Sequence, residues 1–213
     1  MEAAAQPEVE TNAFRNYEVM ETMSPRTASY AIDADDLVVW TDDGFADLAR
    51  EHRRPDLADA AIGRPLVEFV AGDRARALQQ ALIERVRAKP SEPLELRYRC
   101  DAPDMRRFAV LRLTVRPNHS IVFTTWFELV EDRPYQSILD YEVPRGDGTA
   151  RLCAWCNRVD AGDGWREPED VETSERPPAV EHGVCEICEL LLTSGPASRP
   201  GTGPTRSGPS GRP

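Results

Sequence analysis

Along positions 28–131 the apolar residues recur first at every second place, then at helical spacing, then at every second place again. SYAIDADDLVVWT reads as a hairpin, with one strand to Ile32, an Asp-rich turn at Asp33–Asp36 and a second strand through Leu37–Trp40. Thr41 can cap a short helix that follows, with Asp42 and Asp43 in its first turn, where the helix dipole favours anions. Phe45 and Leu48 would face the core from that helix. IGRPLVEFVAGD is a short mixed segment broken by Gly63, Pro65 and Gly72. Asp73 then reads as the cap of the strongest helix, RARALQQALIERVRA, whose Ala75, Leu78, Leu82 and Val86 form one apolar stripe. Three strands follow. PLELRYRC puts Leu94, Leu96, Tyr98 and Cys100 on one face, RRFAVLRLTV puts Ala109, Leu111, Leu113 and Val115 on one face, and SIVFTTWFELV is apolar on both, as a central strand should be. The pattern predicts an α+β fold: an antiparallel five-stranded sheet with helices over one face.

The flanks carry a different pattern. Residues 1–25 are polar and weakly patterned, fitting either a flexible lead-in or a helix through Val19, Met20 and Met23. Residues 193–213 hold five Gly and five Pro, too little apolar surface to offset ordering entropy, so a disordered tail is expected. The division is then a lead-in at 1–25, an α+β domain at 26–131, a linker at 132–150 marked by Pro134, Pro144 and RGDG, a cysteine-bearing module at 151–192, and the tail.

A chain of 213 residues suits one good core with a smaller appendage. No apolar run approaches the roughly 18 to 20 residues of a membrane-spanning helix. MEAAAQPEVE lacks a basic stretch followed by an apolar one, so a cytoplasmic protein is expected. In such a reducing compartment five cysteines argue against a disulfide framework. The net charge of −11 is concentrated in the flanks, and residues 153–192 carry ten acids against three arginines. Phosphate backbones and anionic membrane surfaces would both be repelled, so neither nucleic acid nor membrane is an expected partner.

The string IDADDLVVWTDDGFADLA, then IGRPLVEFV, a long helix and three closing strands resemble a PAS domain over 28–131. The resemblance implies a sensory or interaction module with a pocket between the sheet and the short helices, walled by Trp40, Phe45, Tyr98 and Phe123. It also implies a partner protein in signalling and pairing into a homodimer. Light-sensing relatives carry a reactive cysteine in the short-helix region, and IGRPLVEFVAGD has none. Haem-binding relatives use a helical histidine facing the sheet. His52 near a helix end and His119 in a turn after Pro117 and Asn118 read as solvated polar residues. Neither flavin nor haem is indicated. Cys100 reads as a small buried hydrophobe.

The remaining chemistry lies in RLCAWCNRV and HGVCEIC, which give Cys153-x2-Cys156, 28 intervening residues and Cys185-x2-Cys188. Each pair can aim two sulfurs at one point, and four thiolates complete the tetrahedral shell of structural zinc. The spacer exceeds the common 15–20 residues, but loop closure grows only logarithmically, adding about half a kcal/mol or less. The competing reading is dithiol redox chemistry, although acidic surroundings raise thiol pKa values where a redox pair needs them low. With four sulfurs available, His182 reads as a residue that hydrogen-bonds a thiolate or orients a turn, and less readily as a ligand. Trp155 and Trp165 would supply a small core. CAWC, Trp165 and HGVCEIC also resemble a cysteine tail that follows PAS and receiver domains in bacterial signalling proteins. Here Asn157, Glu181 and Glu186 depart from the usual wording. The aspartates at 33, 35, 36, 42 and 43 sit where turns and helix starts favour them, and no phosphate loop or Ser/His/Asp arrangement is visible. The expectation is a non-catalytic signalling protein, a PAS-like sensing or docking domain joined to a zinc-ribbon-like module of four cysteines. The alternative is a thiol-based redox switch.

Overall fold

The computed structural model describes residues 27–160, 162–171 and 176–194. The expectations for 1–25 and for the Gly/Pro-rich tail lie outside the described residues, apart from Thr193 and Ser194.

Strands β1 (Thr27–Ile32) and β2 (Val38–Thr41) form the first hairpin. Its turn is closed by the Asp33 carboxylate, which accepts from the backbone N–H of Asp35 and Leu37 at 2.9 and 3.0 Å, a local bond that favours Asp in turns. Helix α1 (Asp43–Glu51) is capped by Asp42, not by Thr41. Asp42 Oδ1 accepts from the N–H groups of Phe45 in the helix and Ser29 in β1. A carboxylate reaches both donors and fixes helix to strand, which the shorter threonine hydroxyl would not. Helix α2 (Leu57–Ala60) and a 3-10 turn at Leu66–Phe69 fill the broken segment. Helix α3 (Asp73–Ala88) begins with Asp73 already helical, preceded by Gly72 at φ 87°. A Cβ at residue 72 would lie 2.2 Å from the His182 carbonyl oxygen, so glycine is the only residue that lets this helix start there.

Strands β3 (Leu94–Arg99), β4 (Met105–Val115) and β5 (Ile121–Asp132) complete the sheet. Its order is β2-β1-β5-β4-β3, antiparallel throughout. This is the five-stranded α+β arrangement that the apolar pattern predicts. Ile32, Leu94, Leu96, Leu113, Ile121 and Phe123 meet Leu82, Ile83 and Val86 of α3 in the main core. Every apolar residue removed from water there contributes roughly 1.5–3 kcal/mol before entropy is subtracted.

A second unit follows. Strands β6 (Thr149–Cys153), β7 (Val159–Asp160), β8 (Trp165–Arg166) and β9 (Ala179–Gly183) form a sheet of order β8-β7-β6-β9, with β6 and β9 parallel. Helix α4 (Glu186–Ser194) comes last. The stretch leading to β6 packs tightly: Ile138 and Leu139 are buried against Leu152 and Val159, and Asp140 accepts from the Tyr135 hydroxyl and the Glu142 N–H.

The second unit is seated on the first. Leu192 of α4 enters the main core, and Ala75 of α3 packs among Cys153, Val184, Cys185 and Cys188. Trp155 donates its indole N–H to the Arg97 carbonyl at 2.8 Å, and its own carbonyl accepts from the Arg99 N–H at 2.9 Å, extending the β3 edge. Charge completes the contact. Glu167 takes Arg99 at 2.5 Å and Glu169 takes Arg106 at 2.8 Å and Arg133 at 2.5 Å, while Glu189 pairs with Arg74. Beneath them the Asp101 carboxylate, 0% exposed, binds Arg99 and holds Arg133 at 2.7 Å. Several of the acids that make 153–192 negative thus face arginines of the first sheet and of α3. Among the described residues no helix is long and apolar enough to cross a membrane.

Candidate metal centre

Cys153 ends β6 and starts a tight turn: its N–H donates to the Arg158 carbonyl at 2.8 Å, and the Asn157 N–H donates to the Cys153 carbonyl at 2.9 Å. Asn157 stands at φ 58°, in the left-handed region that Asn tolerates better than most residues. That requirement explains an asparagine at this position. The second pair has another setting. Cys185 immediately precedes α4, its carbonyl accepting from Glu189 N–H at 2.9 Å, so Cys188 lies in the first helical turn. The Cys188 N–H points at Cys185 Sγ (3.5 Å) and the Cys185 N–H at Cys153 Sγ (3.4 Å). Hydrogen bonds of this kind favour thiolates.

The four sulfurs lie within 4.8 Å of one another, and Cys156 and Cys185 stand 3.8 Å apart. Ligands about 2.3 Å from a tetrahedral centre have edges of about 3.8 Å. The donor set therefore fits a metal ion. Cys153, Cys185 and Cys188 are buried and Cys156 half-buried. Hydrogen bonds from Cys156 and Cys188 hold the Cys153 thiol far below its ordinary range, while the same contact with Cys153 pushes Cys156 up to about 12. Cys188 is raised by its contacts with Cys153 and Cys156. A cation at the centre would stabilise all four thiolates. Trp155 and Trp165 pack against the cluster, with Arg151 over the Trp165 ring at 5.4 Å.

His182 is not one of this group. The β6–β9 register sets it opposite Leu152 and sets Gly183 opposite Cys153. Strand alternation then puts the imidazole on the other sheet face from the Cys153 sulfur. Burial lowers its pKa, which favours a neutral ring.

The four expected pocket walls separate. Phe45 lines a cavity of about 230 Å³ under the short helices, with Leu57, Leu66 and Phe69. Tyr98 and Phe123 line a second cavity of about 230 Å³, bounded by α3, the inner sheet face and residues Ala154, Trp155, Val184 and Leu192. Tyr30 borders both, stacked on Phe123 at 4.6 Å and edge-on to Phe45 at 5.6 Å. Trp40 lines neither and is 47% exposed. A bulge between Ala31 and Ile32 changes the parity of β2, so Val38 faces inward opposite Ile32 while Trp40 lies opposite Ala31 on the outer face.

His52 departs from the solvated role expected of it. Its Nε2 lies 3.5 Å from Cys100 Sγ. Burial and the nearby Arg107 lower the histidine, and burial raises the thiol to about 11. At neutral pH the pair is a thiol and a neutral imidazole, not a thiolate and an imidazolium. No feature of the sequence pattern points to a contact between residues 48 positions apart.

No protein-family model matches the chain, and no curated protein matches it. Among solved structures, the chain is similar to one described as the structure of an RNA-binding light-oxygen-voltage receptor, at 18% identity and a TM-score of 0.34. The match covers 48% of this chain and 28% of that one, so the chain spans under a third of that structure's length.

Proposed function

We propose that this chain is a non-catalytic cytoplasmic signalling protein, in which a PAS-like sensing or docking domain is coupled to a structural zinc module. One observation carries the reading: four cysteines from two distant pairs bring their sulfurs within 4.8 Å of one another, with Cys156 and Cys185 at 3.8 Å, the edge of a tetrahedral thiolate shell. Zinc is the ion assigned because an all-sulfur, largely buried shell suits it and leaves no open position for chemistry. Cys153, Cys156, Cys185 and Cys188 would hold it, and its charge would stabilise their thiolates. The module would then keep α4, Trp155 and the acidic loop seated on the sheet, so a signal at the sheet reaches a partner protein through that unit. Pairing of two copies belongs to the same reading. Elemental analysis of the purified full chain tests it, with one zinc per chain as the expected result. Four free thiols and no bound metal after purification without chelators would overturn it.

A second reading, the thiol redox switch, draws on the position of Cys185 and Cys188 at the start of α4, where redox CxxC pairs also sit. Mild peroxide followed by thiol counting separates the two. A chain that retains its metal and all five thiols excludes the switch.

A further inference from the structure

The cavity under the metal loop adjoins the one beneath the short helices, sharing Tyr30, Val70 and Gln79 with it, and naming its ligand rests on the sensing-domain reading above. Its floor is Leu78 and Leu82 of α3 with Leu111, Leu113 and Phe123 of the sheet. Its wall comes from the cysteine unit. Ala154 and Trp155 are the two residues between Cys153 and Cys156, Val184 precedes Cys185, and Leu192 lies on the helix that Cys185 and Cys188 begin. The residues that would grip the ion and those that close the cavity are therefore neighbours on the same short loops.

The lining states what would fit. None of the lining side chains is charged. The polar groups are the hydroxyls of Tyr98 and Thr125, joined at 3.0 Å, with Tyr30 and Gln79. Two hydroxyls sharing one bond use one of their two protons between them, and their remaining lone pairs can meet a single ligand N–H or O–H. Two aromatic pairs line it, the Tyr30–Phe123 stack and the tilted Tyr98–Trp155 pair with centroids 5.6 Å apart. An apolar cavity of about 150 Å³ takes benzene. At about 230 Å³ this one has room for a fused two-ring compound.

We propose that this cavity is a binding site for a small, neutral, planar aromatic compound of two-ring size carrying one hydrogen-bond donor, and that its affinity depends on metal at the four cysteines. The second half rests on the zinc reading above. Without the ion the Cys153–Cys156 loop keeps only its hydrogen bonds, those of Trp155 to Arg97 and Arg99 and of Ala154 to Gly183 among them, so Trp155 and Ala154 are held less firmly over the cavity. Linkage makes the effect reciprocal: whatever factor metal adds to ligand affinity, ligand adds to metal affinity.

The test uses 5-fluoroindole as probe, followed by fluorine NMR on the full chain with one zinc bound. Saturable binding at one site per chain is expected. Leu78→Trp, which fills the floor from α3, should weaken it at least tenfold while the far-ultraviolet spectrum and zinc content are unchanged. Removing zinc with a chelator should weaken binding at least tenfold, and saturating probe should slow zinc transfer to a competing chelator by a similar factor. A zinc-loaded chain that shows no saturable binding overturns the site while leaving the metal reading intact. Binding that is equal with and without zinc overturns the coupling. A chain that never takes up zinc overturns the underlying metal reading instead, which the zinc assay reports separately.

Discussion

Asp101→Asn is the sharpest test of how the two units are joined. The carboxylate is fully buried and accepts from four donors: the Arg99 Nε and Nη2, the Arg133 Nη1 at 2.7 Å, and the Arg107 backbone N–H at 3.0 Å. Asparagine keeps the shape but replaces one acceptor oxygen by an NH2 group. In either amide orientation that group faces donors, and two guanidinium groups lose their fully buried counter-charge, keeping only the more exposed Glu167 and Glu169. Side-chain exposure is 9% for Arg99 and 2% for Arg133, so water cannot compensate. Two charge-assisted bonds at about 1.5–3 kcal/mol each give about 3–6 kcal/mol, in line with the 3–5 kcal/mol lost when one partner of a buried pair is removed. That is a large share of a typical domain's total stability of about 5–15 kcal/mol. Urea unfolding in excess zinc, followed by tryptophan fluorescence and far-ultraviolet circular dichroism, measures it. A loss below about 1 kcal/mol would mean that the arginines find other partners and that Asp101 is not the anchor of this interface.

Cys185→Ser should lower metal affinity by more than about a hundredfold, whereas His182→Ala should leave it within about threefold, since its ring lies across the sheet from the Cys153 sulfur. Competition with a zinc chelator reads both, and an effect of His182 as large as that of Cys185 would restore it to the metal shell. Alkylation of Cys100 by iodoacetamide in the zinc-loaded protein should rise with a midpoint near pH 11, because burial raises the thiol; a midpoint near the ordinary value of about 8.5 would contradict its burial. Glu167 is held below the usual carboxylate range: burial acts against this, but hydrogen bonds from Arg99 and Arg158 prevail. A carboxylate lowered in the folded state adds stability above the unfolded value, and that share is lost as pH falls through about 4.3 and below. Glu167→Gln should therefore show a flatter fall in urea stability between about pH 5 and 3 than the parent chain, and equal slopes would refute the pairing.

Much of this fold is readable from the chain because it is local. The two-residue period of PLELRYRC and the stripe through Ala75, Leu82 and Val86 each report one element's buried face, and the structure buries those faces. The spacing of the four cysteines likewise carries its own geometry. What escapes depends on contacts distant in sequence. The acids of 153–192 read as repulsion toward polyanions, whereas Glu167 and Glu169 meet Arg99, Arg106 and Arg133 within the same molecule. The PAS resemblance implies a pocket wall at Trp40, and a single bulge in the first hairpin turns that residue to the outer face. Thr41 and Asp73 each stand one residue away from the position that starts the helix. In both cases tertiary contact decides it: Asp42 also holds Ser29, and Gly72 lies against the His182 carbonyl.

The distance along the chain between the two sulfur pairs has a consequence for synthesis. Cys156 leaves the ribosome 29 residues before Cys185 does, an interval of about 1.5 to 6 seconds at ordinary elongation rates. During that time the strands β1 to β5 are already translated, and the edge formed by Arg97 and Arg99 is ready to receive Trp155. The nascent loop can be parked on the finished sheet with half a shell of donors, and an ion held by all four cysteines would be locked in only once residue 188 has emerged. Metal capture would then be a late checkpoint on assembly, and a chain stalled before Cys185 would keep the thiols of Cys153 and Cys156 open to any passing electrophile.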